Sequence, residues 1–421
     1  MTSTRHDCAA LDARDSLSPL REQFILPAGR IYLDGNSLGA LPRATPARVA
    51  EVVQREWGQD LIESWNTAHW IELPRRVGDK IARLVGAGAG ELVAADSTSV
   101  NLFKVLSAAL TIAREDANAR RVILSERDNF PTDLYIAEAL ARERGCELVL
   151  IDAPDQVAPR LAQRDVAVLM LTQVNYRTGH LHDMAATTRA AHAAGTLALW
   201  DLAHSAGALP VHLTRDDADF AVGCGYKYLN GGPGAPAFVW VHPRHAERFL
   251  QPLAGWMGHA APFAFTPDYR PAPGIGRYLC GTPPVIQMAA LECGVDTLLA
   301  AEPLGGMAAL REKSLALTDL FLRLVDERCA GHGLATITPR DPGLRGSQVS
   351  VLRTEGAYAI VQALIARGVV GDFRAPDVLR FGFTPLYLRF VDVWDAVEHL
   401  HQVLATGEWR HERFARKAAV T

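Results

Sequence analysis

FAVGCGYKYLNGGP, residues 220–233, holds a short apolar run, one lysine between two tyrosines, and a Gly231-Gly232-Pro233 turn. An apolar strand followed by a reactive side chain and a glycine-rich turn is how an α/β protein presents a group at the carboxyl edge of its sheet. Lys227 is therefore either an ordinary loop lysine or an amine placed to form a Schiff base with an aldehyde cofactor.

Just upstream, TLALWDLAHSAGALP (196–210) ends an apolar run in Asp201, with His204 three residues on. One helix or loop and one strand fit between Asp201 and Lys227. Adjacent strands would then deliver an acid and an amine to the same sheet edge. Pyridoxal phosphate requires that pair: the amine holds the aldehyde, and the carboxylate keeps the ring nitrogen protonated. Asp201 taken alone reads equally as a helix N-cap; Lys227 at this distance favours the ring-nitrogen partner.

Outward from these two stretches, apolar runs alternate with helical segments. Strands are expected at 121–125, 147–151, 166–171, 197–200, 220–223 and 237–241. Helices are expected at 134–144 and 184–194, with a short one after 197–200. Continuous apolar strands separated by helices mean a mostly parallel sheet covered on both faces, hence an α/β protein. Earlier, 46–57 reads as an amphipathic helix, 74–85 as a helix ended by glycines, and 100–113 as a helix. Residues 251–282 read as a long loop. Helices at 284–299 and 304–329 lead into an α+β unit with strands at 348–352, 369–373 and 378–383 and helices at 358–367 and 391–405. The expected division is 1–70, contributing to a small domain and the active-site wall, 71–300 as the large domain, and 301–421 as the small C-terminal domain.

The strand-end loops collect the polar residues: Asn129 to Asp133, Thr172 to Asn175, Asp201 with His204, and Tyr226 with Lys227. Ligands bind outside the carboxyl ends of such strands. Ser97-Thr98-Ser99 precedes a helix, so it is either an N-cap or, with the free amides there, a phosphate site. Trp65 and Trp70 lie in the irregular segment IESWNTAHW (62–70), where tryptophans pack under a loop or wall a pocket for a flat ligand. Asn36 sits in the turn of IYLDGNSLG (31–39), which is either structural or close to a ligand. Arg380 stands among apolar neighbours in VLRFGF (378–383).

The composition excludes several classes. The 421 residues are 49% hydrophobic and 21% charged with net charge −4, so no basic surface suggests nucleic acid or a membrane. No apolar run reaches the roughly 18–20 residues needed to span a bilayer, and the first residues lack a signal peptide's apolar core. The six cysteines have no CxxC spacing, which points to neither a zinc site nor a disulfide framework and fits a reducing cytosol. No internal repeat or low-complexity segment is evident.

These motifs together resemble the kynureninase family, pyridoxal-phosphate enzymes of the aspartate-aminotransferase fold type. The resemblance covers nearly the whole chain: LDGNSLG (33–39), TSVN (98–101), NFPTD (129–133), VNYRTG (174–179), WDLAHSAGALPV (200–211), GCGYKYLNGGPG (223–234), GWMGH (255–259) and RFGFTPLY (380–387). Cysteine desulfurases and class V aminotransferases share the Asp-x-x-His and Tyr-Lys-Tyr-Leu-Asn elements more loosely; a desulfurase needs a mobile acceptor cysteine, for which Cys280 is the sole candidate.

The resemblance implies a seven-stranded, mostly parallel sheet between helices, with a small α+β domain made from both chain ends. It implies cytoplasmic hydrolysis of the Cβ–Cγ bond of L-kynurenine to anthranilate and L-alanine, with 3-hydroxykynurenine a second possible substrate. Lys227 would carry the cofactor, Asp201 would pair with the ring nitrogen, and Asp133 and His204 would stand nearby. Phe130 would stack on the ring, Thr172 would contact the 3-oxygen side, and Thr98, Ser99 and Tyr226 would hold the phosphate. Trp256 and Thr282 would come from the partner of a homodimer. Arg380 would bind the substrate carboxylate, with Asn36 and Trp65 also on the substrate side and Trp70 as the alternative to Trp65. Trp65 with Thr282 resembles the bacterial, kynurenine-preferring pattern. Tyr226 is the candidate acid for protonating Cβ, and no metal is implied.

Overall fold

The computed structural model describes residues 4–116 and 120–417. Seven strands form its central sheet: β1 (Leu92–Ala94), β2 (Val122–Glu126), β3 (Glu147–Ile151), β4 (Val166–Thr172), β5 (Leu197–Asp201), β6 (Phe220–Gly223) and β7 (Phe238–Val241). Their order is β1-β7-β6-β5-β4-β2-β3. Only β7 runs against its neighbours, pairing antiparallel with β6 and β1. Every residue of β4 is buried. A strand covered on both faces needs such an unbroken apolar run, and each of its Val, Leu or Met side chains contributes about 1.5–3 kcal/mol by leaving water.

Six of these strands coincide with the expected runs to within a residue. β1 was not anticipated, because three residues carry too little pattern. It is pinned by the helix α1 (Leu73–Val85), where Gly78 lets two backbones approach: a Cβ there would lie 2.2 Å from the carbonyl oxygen of Leu92.

Three expectations need correcting. The short helix after β5 is instead a series of tight turns, with Ser205 N–H donating to Leu202 and Leu209 N–H to Ser205. Gly207 at φ 81° stops any helix from propagating there. The single strand expected over 369–373 is two strands in different sheets: Val369–Val370 pairs with Ile31–Tyr32, whereas Asp372–Arg374 pairs with Val378–Gly382. Gly371 marks the break, since a Cβ there would lie 2.8 Å from the Phe381 ring. The helix over 46–57 is α-helical from Thr45–Glu51 and widens to π-helical turns over Val52–Trp57.

A second, antiparallel sheet has the order β8-β9-β11-β10, from β8 (Ala335–Thr336), β9 (Gln348–Leu352), β10 (Asp372–Arg374) and β11 (Val378–Gly382). The N-terminal segment docks on it through the Asp34–Gly382 bridge and on the helix Phe390–Thr406 through the Arg5–Asp395 ion pair at 2.7 Å. Among the described residues, no helix is long and apolar enough to cross a membrane. All six cysteines are free.

Candidate active site

β4, β5 and β6 end at one level, because Thr172 pairs with Asp201 and Asp201 with Val222. Their loops, the loop after β2 and the start of helix α2 (Thr98–Asp116) wall a cavity of about 410 Å³. Nine of the expected site residues line it: Thr98, Ser99, Phe130, Asp133, Thr172, Asp201, His204, Tyr226 and Lys227.

Lys227 Nζ lies 2.9 Å from His204 Nε2, with the Phe130 and Tyr226 ring centres 6.0 and 5.8 Å away. Burial, then the Lys227 charge, hold His204 well below the ordinary imidazole range. A neutral His204 can accept a proton from the lysine side at Nε2, and its Nδ1 is buried without a partner. Asp201 and Asp133 are buried against each other. Burial raises both carboxyls, and the Asp201 charge raises Asp133 further, while Lys227 opposes the rise at Asp201. Two buried carboxyls in contact hold a proton between them. Asp201 Oδ1 also accepts the Ala203 N–H at 2.7 Å, so the capping role and the place in the cavity wall coexist.

At the other end, Ser97 Oγ accepts the Val100 N–H at 3.3 Å and so caps α2. That frees Thr98 and Ser99 to face the cavity, and Thr98 Oγ1 is buried without a partner. The first-turn amides of a helix carry no internal partner and favour an anion. Thr172 commits its hydroxyl proton to Asn129 Oδ1 at 2.5 Å, and Asn129 in turn donates to Ser125 at 3.0 Å. The Thr172 oxygen therefore faces the cavity as an acceptor. Tyr226 is half-buried, and burial pushes its hydroxyl above the ordinary phenol range, so it stays protonated.

The other five expected residues lie outside this wall. Arg380 is buried, with its guanidinium forked onto Asp372 and donating to Ser37 Oγ at 2.8 Å and to the Tyr176 carbonyl at 2.7 Å. Asn36 is fully buried beside Gly382, with neither amide atom partnered. The Trp65 ring stands edge-on to Trp70 at 6.1 Å and to Trp256 at 5.6 Å. Trp70 donates its indole N–H to the buried Glu56 at 2.8 Å. Thr282 is exposed.

Sequence reasoning missed Tyr176 and Asp96, which also line the cavity. The Tyr176 ring meets Phe130 edge-on at 5.4 Å. Its position in the loop after β4, whose last residue Thr172 pairs with Asp201, was the available signal. Asp96 adopts φ 50° and receives Lys104 Nζ at 2.5 Å, an ion pair formed by a fully buried lysine.

Residues 31–342 match the aminotransferase class-V family, and residues 310–400 match the kynureninase C-terminal domain. A kynureninase of Burkholderia pseudomallei is 58% identical over 420 residues, covering 99% of this chain and all of that protein. One of Pseudomonas fluorescens is 55% identical over the full length of both chains. Among solved structures, an apo cysteine desulfurase of Thermococcus onnurineus superposes with a TM-score of 0.77 at 18% identity, over 92% of this chain and 98% of that one. A C-DES variant with glycine covalently linked to its PLP cofactor gives 0.78 at 17% identity, over 90% and 98%. Those two likenesses speak for the fold; the full-length identities and the matching C-terminal domain place the chain in the kynureninase family.

Proposed function

We propose that this chain is a kynureninase, hydrolysing the Cβ–Cγ bond of L-kynurenine to anthranilate and L-alanine with pyridoxal 5′-phosphate, as a cytoplasmic homodimer. One observation carries the reading: Lys227 and Asp201, delivered by adjacent parallel strands, face one cavity in a chain whose full-length relatives bear that name. The residues fit the cofactor. Thr98 Oγ1 and His204 Nδ1 are buried polar atoms without partners in the described structure, and such atoms normally have one. Free cysteines suit the reducing compartment.

The cofactor, when bound, supplies an electron sink for the charge left at the substrate's α-carbon. Asp201, with Asp133, would hold the proton on its ring nitrogen. Thr98, Ser99 and Tyr226 would hold its phosphate, with Phe130 on the ring side and Thr172 on the 3-oxygen side. Lys227 would hold the aldehyde and move the proton at Cα. Water adds to the γ-carbonyl, and Tyr226, protonated and beside Lys227, donates to Cβ as anthranilate separates. Arg380 and Asn36 receive the substrate carboxylate. Trp65 lines the aryl side, because Trp70 is tied to Glu56, and its pairing with Thr282 favours kynurenine over the 3-hydroxy compound. The desulfurase alternative has only the fold behind it, at 17–18% identity, against 55–58% over the full length for the kynureninases.

The test is anthranilate fluorescence after adding kynurenine and pyridoxal phosphate to the purified protein. Turnover is expected, and Lys227→Ala should abolish it. A native protein that releases no anthranilate, or a variant that releases it at the native rate, would remove the reading.

A further inference from the structure

The substrate-carboxylate end of the site, given above to Arg380 and Asn36, is short of charged donors if Arg380 is its one cation. A guanidinium has five N–H groups. Arg380 directs Nε and one Nη2 proton onto Asp372, the other Nη2 proton onto Ser37 and one Nη1 proton onto the Tyr176 carbonyl. One proton remains, whereas a carboxylate is held best by two or more charged donors.

Arg374 stands on β10, two residues after Asp372. It spends Nη2 on Asp372 at 2.6 Å and on Ser37 at 3.2 Å. Its Nε–H is buried without a partner, and its Nη1 makes no hydrogen bond among the described residues. Its side chain is 37% exposed, against 1% for Arg380. Arg177 straps the turn after β10 to the cavity wall, donating to the Ala375 carbonyl at 2.6 Å and to Asp377 at 2.8 Å. Arg177 adjoins Tyr176, which lines the cavity, so the turn that follows Arg374 is tied to that wall. The Arg374 charge also bears on Tyr226 and, with that of Arg380, on His204. Two guanidinium groups share the one Asp372 carboxylate, leaving the cluster a surplus positive charge for a second anion while the buried Asp34 beside it is protonated.

We propose that Arg374 is a second substrate-binding arginine, giving the α-carboxylate of kynurenine the hydrogen bonds from Nη1 that Arg380 cannot supply. The proposal rests on the reading that kynurenine is the substrate. It differs from a structural Arg374–Asp372 ion pair in one respect: it depends on the substrate having a carboxylate.

The experiment uses the holoenzyme at saturating pyridoxal phosphate and compares native protein with Arg374→Gln and Arg374→Lys. KM for kynurenine is measured beside the inhibition constant of kynuramine, the decarboxylated analogue. Arg374→Gln should raise KM about tenfold to a hundredfold with kcat nearly kept, as expected for lost charged hydrogen bonds. Kynuramine should inhibit it as it inhibits the native enzyme, and Arg374→Lys should recover part of the affinity. An unchanged KM, or equal weakening of kynurenine and kynuramine, would overturn the proposal. Arg380→Lys run in parallel separates the two arginines: if it alone raises KM, Arg374 is a structural partner only. Failure of the native enzyme to release anthranilate would sink the parent reading instead.

Discussion

Burial pushes the Asp133 and Asp201 carboxyls above their ordinary range, and a cation between Lys227 and this pair would draw the shared proton off. Asp201→Asn separates the two duties of Asp201, since the amide oxygen can still accept the Ala203 N–H. Losing the neighbouring charge moves a partner's pKa by about 1–3 units, or roughly 1.4–4 kcal/mol. The expected result is kcat lowered by about tenfold to a thousandfold with the melting temperature and cofactor retention near native. An unchanged kcat would leave Asp201 as a turn cap. Asp34 gives a pH prediction of the same kind. Burial, then the Asp372 charge, raise it to about 7, against the Ser37 hydrogen bond and the Arg380 and Arg374 charges. Tyr32 and Tyr387 also face it, both kept neutral by burial. Below pH 7 a protonated Asp34 leaves the two-arginine cluster net positive; above it the cluster is neutral. KM for kynurenine should therefore rise as pH climbs through about 7, and Asp34→Asn should flatten that rise. For stability the sign is similar: the folded state keeps a proton the unfolded chain has released, so Asp34 makes stability fall from about pH 4 to about pH 7 and no further. A pH-independent KM would remove Asp34 from the cluster's charge balance.

At the level of elements, the turn over 34–39 joins the two sheets. Gly382 N–H donates to Leu33 at 2.7 Å on one side, and Gly39 N–H donates to the Tyr226 carbonyl at 2.7 Å on the other. A Cβ on Gly39 would lie 2.5 Å from the Lys227 carbonyl oxygen and 2.6 Å from Asn230 Cα. Backbone cannot swing aside, so Gly39→Ala must push the turn away from the lysine loop. Overpacking of this kind costs about 1–3 kcal/mol. A melting temperature lower by a few degrees is expected, together with weaker cofactor retention, because the displaced loop carries Tyr226 and Lys227. A native melting curve would show that the turn does not press on the loop. The sequence made the strands of the large sheet legible because β4 to β6 are largely apolar runs, and it made Asp201 and Lys227 legible because Asp201 ends one such run and Lys227 lies in the loop just after another. The turn's role was not legible: Asn36 and Gly39 make their contacts with residues far along the chain, and no local period encodes that. Arg374 stayed hidden for the same reason, since Arg177 and Ser37 link segments that only the tertiary fold brings together. β10 was merged with Val369–Val370 because both are extended, and only Gly371 and the register separate the two sheets.

At the scale of the whole molecule, Trp256 and Thr282 belong to the long segment after β7 and lie outside the cavity that Lys227 faces. Trp256 extends a chain of edge-on rings from Trp65 through Phe263 to Phe265, at 5.6, 5.7 and 6.3 Å. Phe263 and Phe265 are 57% and 79% exposed. Contiguous exposed aromatics are the residues that twofold interfaces bury, and a twofold axis would carry this segment of one subunit to the cavity of the other. Subunit mixing tests this directly. Lys227→Ala disables the cavity of its own subunit, and Trp256→Ala should weaken the cavity it serves. If Trp256 serves the partner, a dimer of one subunit of each kind rebuilds one intact site, with Lys227 from the Trp256 variant and Trp256 from the Lys227 variant. Random mixing makes half the dimers hybrid with one intact site of two, so about one quarter of native activity should return. If Trp256 serves its own subunit, each hybrid site still lacks either Lys227 or Trp256, and activity should stay at the average of the two parents. Sedimentation at the assay concentration must show dimers for the mixture to be read this way, and a monomer with native turnover would remove the interface altogether.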